Sequence, residues 1–482
     1  MKYVIKGRKP ESVFRFFEEI STIPRGSYHE EKIADHLVEF AKARGLYCYR
    51  DALNNILIKV PATKGYEDRP TILFQGHTDM VCEKNADVEH DFLTDPLKLW
   101  LDGNLLRAKG TTLGGDDGIA VAMMMALLDG EIKEHPAYEC LFTTAEEVGL
   151  NGAHGFDYSL ISARTMINMD SEELGVVTCG CAGGERHDLT LTAKTAPFDG
   201  IPMRISVSGL MGGHSGENIK DGRANANKLM GRLLASLTVA CDFRLISVDG
   251  GSKDNAIPRE CVAVIVTDDY DTAYQHIMDE GVMIAQELVQ EDHGFTLTVG
   301  KAENVPAEAF TKEDTLRVLC VLSCTANGVL EMSRNVRGLV EYSRNMGVVR
   351  TKGNAVLVVF SSRSAMESRL DASARELDVL AAANGFEAKH YSRYPGWDYA
   401  PESRVRDAYL AAYRDVTGED ARVNVIHAGL ECGIIRSNVP DMDVISVGPT
   451  MHDIHSPAEA LDLDTVEVFW RTVARLIETI SE

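Results

Sequence analysis

The sequence predicts an α/β fold whose main domain carries a mainly parallel sheet, and two observations lead to this prediction. Short apolar runs typical of strands alternate along the chain with stretches typical of helices, which is the pattern of parallel α/β domains. At 482 residues the chain is also longer than one ordinary hydrophobic core can serve. We therefore expect two domains, at least one of them of the α/β class.

The first elements can be assigned in chain order from their spacing. Ser27 and Glu30 match a capping box, and apolar residues then recur at helical spacing until Gly45, which predicts a helix of about five turns. Strands are predicted at residues 55–60, 71–75, 139–143 and 165–168. The apolar run at residues 119–128 is half the length of a membrane span, so it predicts a buried helix.

A change in the residue pattern predicts an insertion in this domain. The glycine-rich segment at 179–185 precedes alternating polar and apolar residues, and a second joint is expected at 394–399. Strand-like runs resume at 423–426 and 443–447. We expect one α/β domain formed by residues 1–185 and 397–482, interrupted by an inserted α+β domain at 186–396.

Composition excludes several classes of function. The chain has 49 Lys and Arg against 73 Asp and Glu, a formal net charge of −24, which argues against binding nucleic acid. The sequence shows no signal-peptide pattern, and we expect no membrane association. Ten scattered cysteines form no CxxC pair, which favours free thiols in a reducing compartment and hence a cytoplasmic protein.

Acidic and histidine side chains recur at the predicted strand ends, where ligands of open α/β sheets gather. They are His77 and Asp79, Asp116 in GGDDG, Glu146 and Glu147, Asp170, and His455. Imidazole and carboxylate ligands suit a pair of divalent cations, with zinc, manganese and cobalt as candidates. Taken singly, each has a structural alternative, since an Asp-Asp-Gly is usually a turn or cap and a Glu-Glu pair usually begins a solvated helix.

His77 and Asp79 are the most informative pair among these residues. On a strand, side chains at i and i+2 point to the same face. A histidine beside a carboxylate at the end of a buried strand suits a metal ligand and the group that orients it. A histidine that is merely hydrogen-bonded at a strand end remains the alternative.

Seven motifs together resemble the aminoacyl-histidine dipeptidases, within the wider di-zinc group of aminoacylase-like and carboxypeptidase G2-like peptidases. They are HTDMV, LGGDDGIA, TTAEEVGL, NMDSEE, GGHSGENI, HAGLECG and HSPAE. The resemblance spans essentially the whole chain. It implies a di-zinc catalytic domain with an inserted lid domain.

The resemblance assigns a role to each strand-end residue. The implied ligands of two zinc ions are His77, Asp116, Glu147, Asp170 and His455. Asp116 is implied to bridge the two metals and to precede a cis peptide bond, and Asp79 is implied to orient His77. Glu146 is implied to be the general base. His452 lies three residues before His455, and the resemblance alone selects between them.

Three residues of the inserted domain also match the family. His214 in GGHSG resembles the lid histidine that stabilises the oxyanion, in some relatives within the other subunit. Asn255 and Arg363 resemble substrate-binding positions, and the guanidinium fork of an arginine suits a substrate carboxylate. The alternatives are a histidine in a glycine-rich turn and an arginine in a surface salt bridge. His427 and Glu431 are expected to line the pocket, without an assigned role.

The resemblance implies a cytoplasmic, homodimeric metallopeptidase that cleaves dipeptides with a free N-terminus, Xaa-His dipeptides among them. Related aminoacylases, carboxypeptidases or tripeptidases would carry the same catalytic residues. A non-catalytic peptide-binding protein with this fold is the alternative from another class.

Overall fold

The computed structural model describes residues 3–480 except residues 289, 291 and 335. These residues form two compact units. The first unit contains the chain up to Cys181, then Trp397–Val425, and then the chain from Leu430 onward. The second unit contains Ala182–Gly396 and the short segment Ile426–Gly429.

The elements follow one another in three stretches of chain. The first stretch contains α1 (Glu11–Ile20), α2 (Glu31–Ala43), β1 (Tyr47–Arg50), β2 (Ile56–Val60), β3 (Ile72–His77), β4 (Leu99–Asp102), β5 (Leu105–Ala108), α3 (Gly115–Leu128), β6 (Tyr138–Thr143), α4 (Asn151–Gly155), β7 (Thr165–Asn168) and β8 (Val176–Cys181). The second contains β9 (Gly183–Thr192), β10 (Thr195–Pro197), β11 (Ile201–Ser208), β12 (Gly213–His214), α5 (Ala226–Leu237), β13 (Phe243–Gly250), β14 (Ala256–Ile257), β15 (Cys261–Thr267), α6 (Tyr270–Glu287), β16 (Thr296–Lys301), β17 (Glu308–Phe310), α7 (Lys312–Cys324), β18 (Gly328–Met332), β19 (Val340–Lys352), β20 (Ala355–Ser364), α8 (Glu367–Ala383) and β21 (Glu387–Tyr394). The third contains α9 (Arg404–Thr417), β22 (Arg422–Ile426), α10 (Glu431–Asn438), β23 (Asp443–Ser446), β24 (Met451–His452), β25 (Ala460–Asp462) and α11 (Leu463–Thr479).

The main sheet of the first unit has the strand order β1-β2-β6-β3-β7-β23-β8-β22. The central strands β6, β3, β7 and β23 run parallel, whereas β1, β2 and β8 pair antiparallel with their neighbours. The α/β class is confirmed, but the sheet is mixed and is parallel at its centre rather than throughout. A short connection joins β1 to β2, and such a connection permits an antiparallel hairpin but not a parallel crossover.

Helix α3 packs at the centre of this unit. All fourteen of its residues are buried, including the three consecutive methionines, as expected for a helix that is apolar on every face. Its first turn departs from helical geometry at Asp116 and Asp117, and the peptide bond between them is cis, as the resemblance implied. No helix within the described ranges combines the length and apolarity needed to cross a membrane.

The predicted capping box at Ser27 and Glu30 is wrong. Helix α2 begins at Glu31 and spans 13 residues, shorter than the predicted five turns, and neither side chain caps it. The Ser27 hydroxyl donates to the Asp79 carboxylate at 2.7 Å, and the Glu30 carboxylate accepts from the backbone N–H of Ala145 at 2.9 Å. Both side chains are used by distant segments of chain, a partnership that a local pattern does not reveal.

The second unit has its own antiparallel sheet and its own core. The strand order is β16-β11-β15-β13-β19-β20-β9-β21, with β18 paired to β19. Helices α5, α6, α7 and α8 pack on this sheet through a separate hydrophobic cluster. A small antiparallel ribbon of β12 and β14 carries His214. The unit has the α+β character expected of the inserted segment.

Candidate metal centre

His77 is the last residue of β3 and is almost fully buried. Its Nδ1 faces the backbone oxygen of Asp79 at 3.1 Å and the Asp79 carboxylate at 3.4 Å. Its Nε2 lies 3.1 Å from Oδ1 of Asp116 and 3.7 Å from Oδ1 of Asp170. A proton on Nδ1 would satisfy the Asp79 oxygens and leave the Nε2 lone pair directed at the carboxylates.

The Asp116 carboxylate lies between two histidines. Its Oδ1 faces Nε2 of His77 at 3.1 Å, and its Oδ2 faces Nε2 of His455 at 3.0 Å. The same His455 nitrogen is 3.0 Å from the Glu147 carboxylate. His452, by contrast, lies in β24 with its backbone paired to Ala460, and it has no place in the groups of candidate ligands found among the described residues. The geometry thus favours His455 over His452.

Among the residues that the structure describes, three overlapping groups of side chains could each hold a cation, with ligand atoms within 4.8 Å of one another. The groups are His77 with Glu146 and Glu147, His77 with Asp116 and Asp170, and Asp116 with Glu147 and His455. His77, Asp116 and Glu147 are each shared by two of them, so membership alone does not identify the bridging carboxylate. Glu146 also belongs to a group, so its position alone does not separate a base from a ligand.

The charges of this cluster suit added cations. Burial, reinforced by neighbouring carboxylates, raises the pKa values of Asp170 and Glu146 well above their usual range. Hydrogen bonds to Asp116 and Glu147 raise the pKa of His455 to about 10. Burial would raise the pKa of Asp116, but hydrogen bonds with His455 and His77 lower it. In the metal-free protein, protons on these groups therefore offset part of the negative charge, and divalent cations could replace them.

The Asp79 carboxylate organises the segment that carries Glu146 and Glu147. Its Oδ1 accepts the backbone N–H of Glu146 at 3.0 Å, and its Oδ2 accepts that of Glu147 at 3.3 Å. Ser27 donates to the same Oδ2. Asp79 is fully buried, so these bonds replace water around its charge. It thereby links β3 to the loop after β6.

Glu459 and Arg25 hold the loop before Asp116, and sequence reasoning missed both roles. The Glu459 carboxylate accepts the backbone N–H groups of Leu113 at 2.7 Å and Gly115 at 2.8 Å. The buried Arg25 guanidinium donates to the backbone oxygens of Thr78, Asp79 and Gly114. Glu459 closes the HSPAE motif, so a signal existed for it, but nothing around Arg25 indicated its role.

The predicted residues of the second unit also lie together. His214 on β12 faces Arg363 on β20, with 3.5 Å between Nε2 and Nη2. Arg363 also donates to the Tyr394 hydroxyl at 2.9 Å. The ribbon that carries His214 pairs it with Ala256, next to Asn255. His427 belongs to the same unit, with its Nε2 2.7 Å from the Ser343 hydroxyl, whereas Glu431 lies in the first unit.

Comparison with known proteins identifies the class. Residues 205–271 match the family model described as a peptidase dimerisation domain. The crystal structure of aminopeptidase PepT from Bacillus cereus covers 98% of this chain and 98% of its own, at a TM-score of 0.56 and 15% identity. At that identity the likeness shows the fold alone. The class that fold and family model define is therefore that of chains with this peptidase fold and a peptidase dimerisation domain.

Two more similar proteins narrow this class to a family. The chain is 37% identical over 476 residues to the cytosol non-specific dipeptidase of Escherichia coli (strain K12), covering 98% of both chains. It is also similar to the aminoacylhistidine dipeptidase from Vibrio alginolyticus, whose crystal structure matches at a TM-score of 0.92 and 36% sequence identity. The match covers 98% of this chain and 97% of that one. The chain belongs to the cytosol non-specific dipeptidase family, and the resemblance drawn from the motifs is confirmed.

Proposed function

We propose that this chain hydrolyses dipeptides with a free N-terminus, Xaa-His dipeptides among them, at a centre of two divalent cations. The observation that carries the proposal is the Asp116 carboxylate, whose two oxygens face His77 and His455 at 3.1 and 3.0 Å. A carboxylate with an imidazole nitrogen beside each oxygen has the arrangement required to bridge two cations.

The ligands divide between two cations in this proposal. His77 and Asp170 would hold one, Glu147 and His455 the other, and Asp116 both. Zinc suits this set of nitrogen and oxygen donors, and manganese or cobalt are the alternatives. When bound, such cations lower the pKa of water and polarise a carbonyl group. The crowded carboxylates support the fit, because their raised pKa values indicate negative charge that lacks compensation.

Glu146 is the proposed general base. Burial raises the pKa of its carboxyl group, which suits a group that must hold and then release a proton. Glu146 would take a proton from the attacking water and deliver it to the leaving amine. Its backbone N–H is held by Asp79, whose carboxylate also faces His77, so base and ligand are oriented by one group.

Arg363 and His214 are proposed to bind negative charge on the substrate. The Glu217 N–H donates to Nδ1 of His214, which leaves the proton of the neutral imidazole on Nε2. Burial, and then the nearby Arg363 charge, lowers the pKa of His214, which favours that neutral form. Two donors, Nε2–H of His214 and Nη2–H of Arg363, therefore face one another 3.5 Å apart. A carboxylate or oxyanion is the group both can bind, and Asn255 is proposed to assist.

The remaining assignments follow from the same family. Residues 1–185 and 397–482 are proposed as the catalytic domain, and residues 186–396 as an inserted lid domain. The match to a peptidase dimerisation domain supports a homodimer. All ten cysteines are free, which supports a cytoplasmic location.

Metal analysis of the purified protein, combined with a substrate panel, tests the proposal. We expect about two divalent cations per chain, and hydrolysis of free dipeptides but not of N-blocked ones. Cleavage restricted to N-acylated amino acids would favour an aminoacylase instead. A Glu146→Ala variant should retain its metal and lose turnover by orders of magnitude, and tight dipeptide binding without product in the wild type would indicate a binding protein.

A further inference from the structure

A row of buried polar side chains crosses the sheet one step before the candidate ligands. We call Asn168, Gln75, Glu431 and Thr143 the buried polar row. Each of the four is fully buried. Asn168 Nδ2 donates to Gln75 Oε1 at 2.7 Å, and Gln75 Nε2 donates to Glu431 Oε2 at 2.5 Å. The Thr143 hydroxyl donates to the same Glu431 oxygen at 2.6 Å.

Strand register ties this row to the metal centre. Gln75 precedes His77 by two residues, so both side chains point to the same face of β3. Gln75 pairs with Asn168 on the parallel strand β7, and Asn168 precedes Asp170 by two residues. His77 itself pairs with Thr143 at the end of β6. The row therefore joins the three strands from which candidate ligands emerge.

Glu431 is the member of the row that comes from outside the three strands. It begins helix α10, and its Oε2 accepts from Gln75 on β3 and from Thr143 on β6. One oxygen thus links two neighbouring strands at the level of the ligands. Among the described residues, no Lys or Arg forms an ion pair with Glu431, and its other oxygen, Oε1, has no hydrogen-bond partner.

A purely structural role does not explain this choice of residue. A buried carboxyl group with one unpartnered oxygen costs stability, and an apolar side chain of similar size would avoid that cost. Polar residues retained in such positions commonly fix an arrangement rather than add stability, and the groups behind metal ligands orient those ligands. The packing of α10 therefore does not account for the stability lost by burying this carboxyl group. Its hydrogen bonds to Gln75 and Thr143 do.

We propose that Glu431 is a positioning residue for the metal centre. The backbone ladder already fixes the spacing of β3 and β6. By holding Gln75 and Thr143 through one oxygen, Glu431 fixes the orientation of these two side chains, next to His77 and just before the loop that carries Glu147. Asn168 extends the same restraint to Asp170. This inference rests on the proposed function in one respect, which is that the cluster binds divalent cations.

Zinc affinity of metal-free protein, measured by competition with a chromophoric chelator, tests the proposal without using catalysis. Glu431→Leu removes both hydrogen bonds, and we expect zinc binding to weaken by roughly tenfold or more. Glu431→Gln keeps an oxygen acceptor for both donors, so its affinity should stay within about threefold of the wild type. This rescue by an uncharged acceptor would separate positioning from a charge effect.

Glu139 provides a matched control on the same strand, β6. It is also a buried carboxylate, but it lies four residues before Thr143, accepts from Ser162 and pairs with Lys59. We expect Glu139→Leu to destabilise the protein and leave zinc affinity unchanged. Equal weakening by Glu139→Leu and Glu431→Leu would overturn the proposal, since the effect would then be general destabilisation.

A smaller substitution keeps the proposal testable if Glu431→Leu does not fold. Thr143→Val removes the hydroxyl group at nearly constant volume and should weaken zinc binding severalfold. Wild-type affinity in Glu431→Leu, or in Thr143→Val when the former is unfolded, would overturn the positioning role and leave the proposed function intact. Failure of the wild-type protein itself to bind zinc, manganese or cobalt would overturn both.

Discussion

Replacing Asp79 by asparagine should weaken the metal centre although Asp79 is not among the candidate ligands. The two carboxylate oxygens divide four donors, with Glu146 N–H and His77 Nδ1 at Oδ1, and Glu147 N–H and Ser27 at Oδ2. An asparagine offers one oxygen and one NH₂ group. In either orientation, the NH₂ group therefore faces a backbone N–H that previously had an acceptor.

The expected magnitude follows from that lost acceptor. A hydrogen bond to a charged group contributes about 1.5–3 kcal/mol, which corresponds to a factor of about 10 to 150. We expect the NH₂ group of the asparagine to take the place of Oδ2, opposite the backbone N–H of Glu147. In that orientation the Ser27 hydroxyl can rotate and accept a hydrogen bond from the NH₂ group, whereas the backbone N–H of Glu147 can only donate and loses its acceptor. Displacement of Glu147 should then weaken zinc binding and lower kcat/KM by a factor in that range.

Zinc titration of metal-free protein and steady-state hydrolysis of a dipeptide would measure the effect. Ser27→Ala is the control, since it removes one neutral donor from the same oxygen and should cost no more than about 1 kcal/mol. If Asp79→Asn binds zinc and turns over within threefold of the wild type, the carboxylate does not organise the Glu146–Glu147 segment.

Three further predictions concern acid–base behaviour, the substrate and the Asp116 loop. Because His455 has a pKa of about 10 without metal, zinc binding must displace a proton. Affinity should therefore rise with pH from 6 to 8, and a pH-independent affinity would contradict this. Arg363→Lys should raise KM for dipeptides by about tenfold with little change in kcat, because lysine lacks the bidentate fork; equal KM values would refute carboxylate binding. Glu459→Gln should weaken zinc binding severalfold in calorimetry, whereas unchanged binding would show that the Leu113–Gly115 loop holds without the charge.

His77, Glu146, Glu147 and Asp170 could be placed near one another from the sequence because each lies at or just after the end of a parallel strand, whereas Asp116 opens α3 and His455 follows the antiparallel strand β24. The strands β3, β6 and β7 run parallel, so their carboxyl ends lie at the same end of the sheet. Side chains that follow these ends can therefore be expected to lie close together even when the rest of the fold is unknown. The direction of the flanking strands could not be predicted in the same way. An apolar run indicates a strand but not its orientation. Here the orientation of β1 relative to β2 depends on their short connection, and β8 is antiparallel to β23, a strand that comes more than 260 residues later in the chain.

The supporting residues could not be predicted, because their partners are remote in sequence. Arg25 and Gly114 are separated by 89 residues, and Glu459 and Leu113 by 346. The same reason explains the failed capping box. Ser27 has an acceptor in Asp79, 52 residues away, and a local pattern contains no information about such a partner. Sequence spacing thus located side chains at strand ends but not the groups that hold them.

The uneven exposure of the candidate ligands has a consequence for how metal would leave the protein. The His77 side chain is 1% exposed and that of Asp170 is 10%, whereas the His455 side chain is 46% exposed. A chelating agent would therefore reach the ion held by His455 first. We expect the two ions to be extracted in two kinetic phases, the faster one from the His455 side and the slower one from the side enclosed by β3.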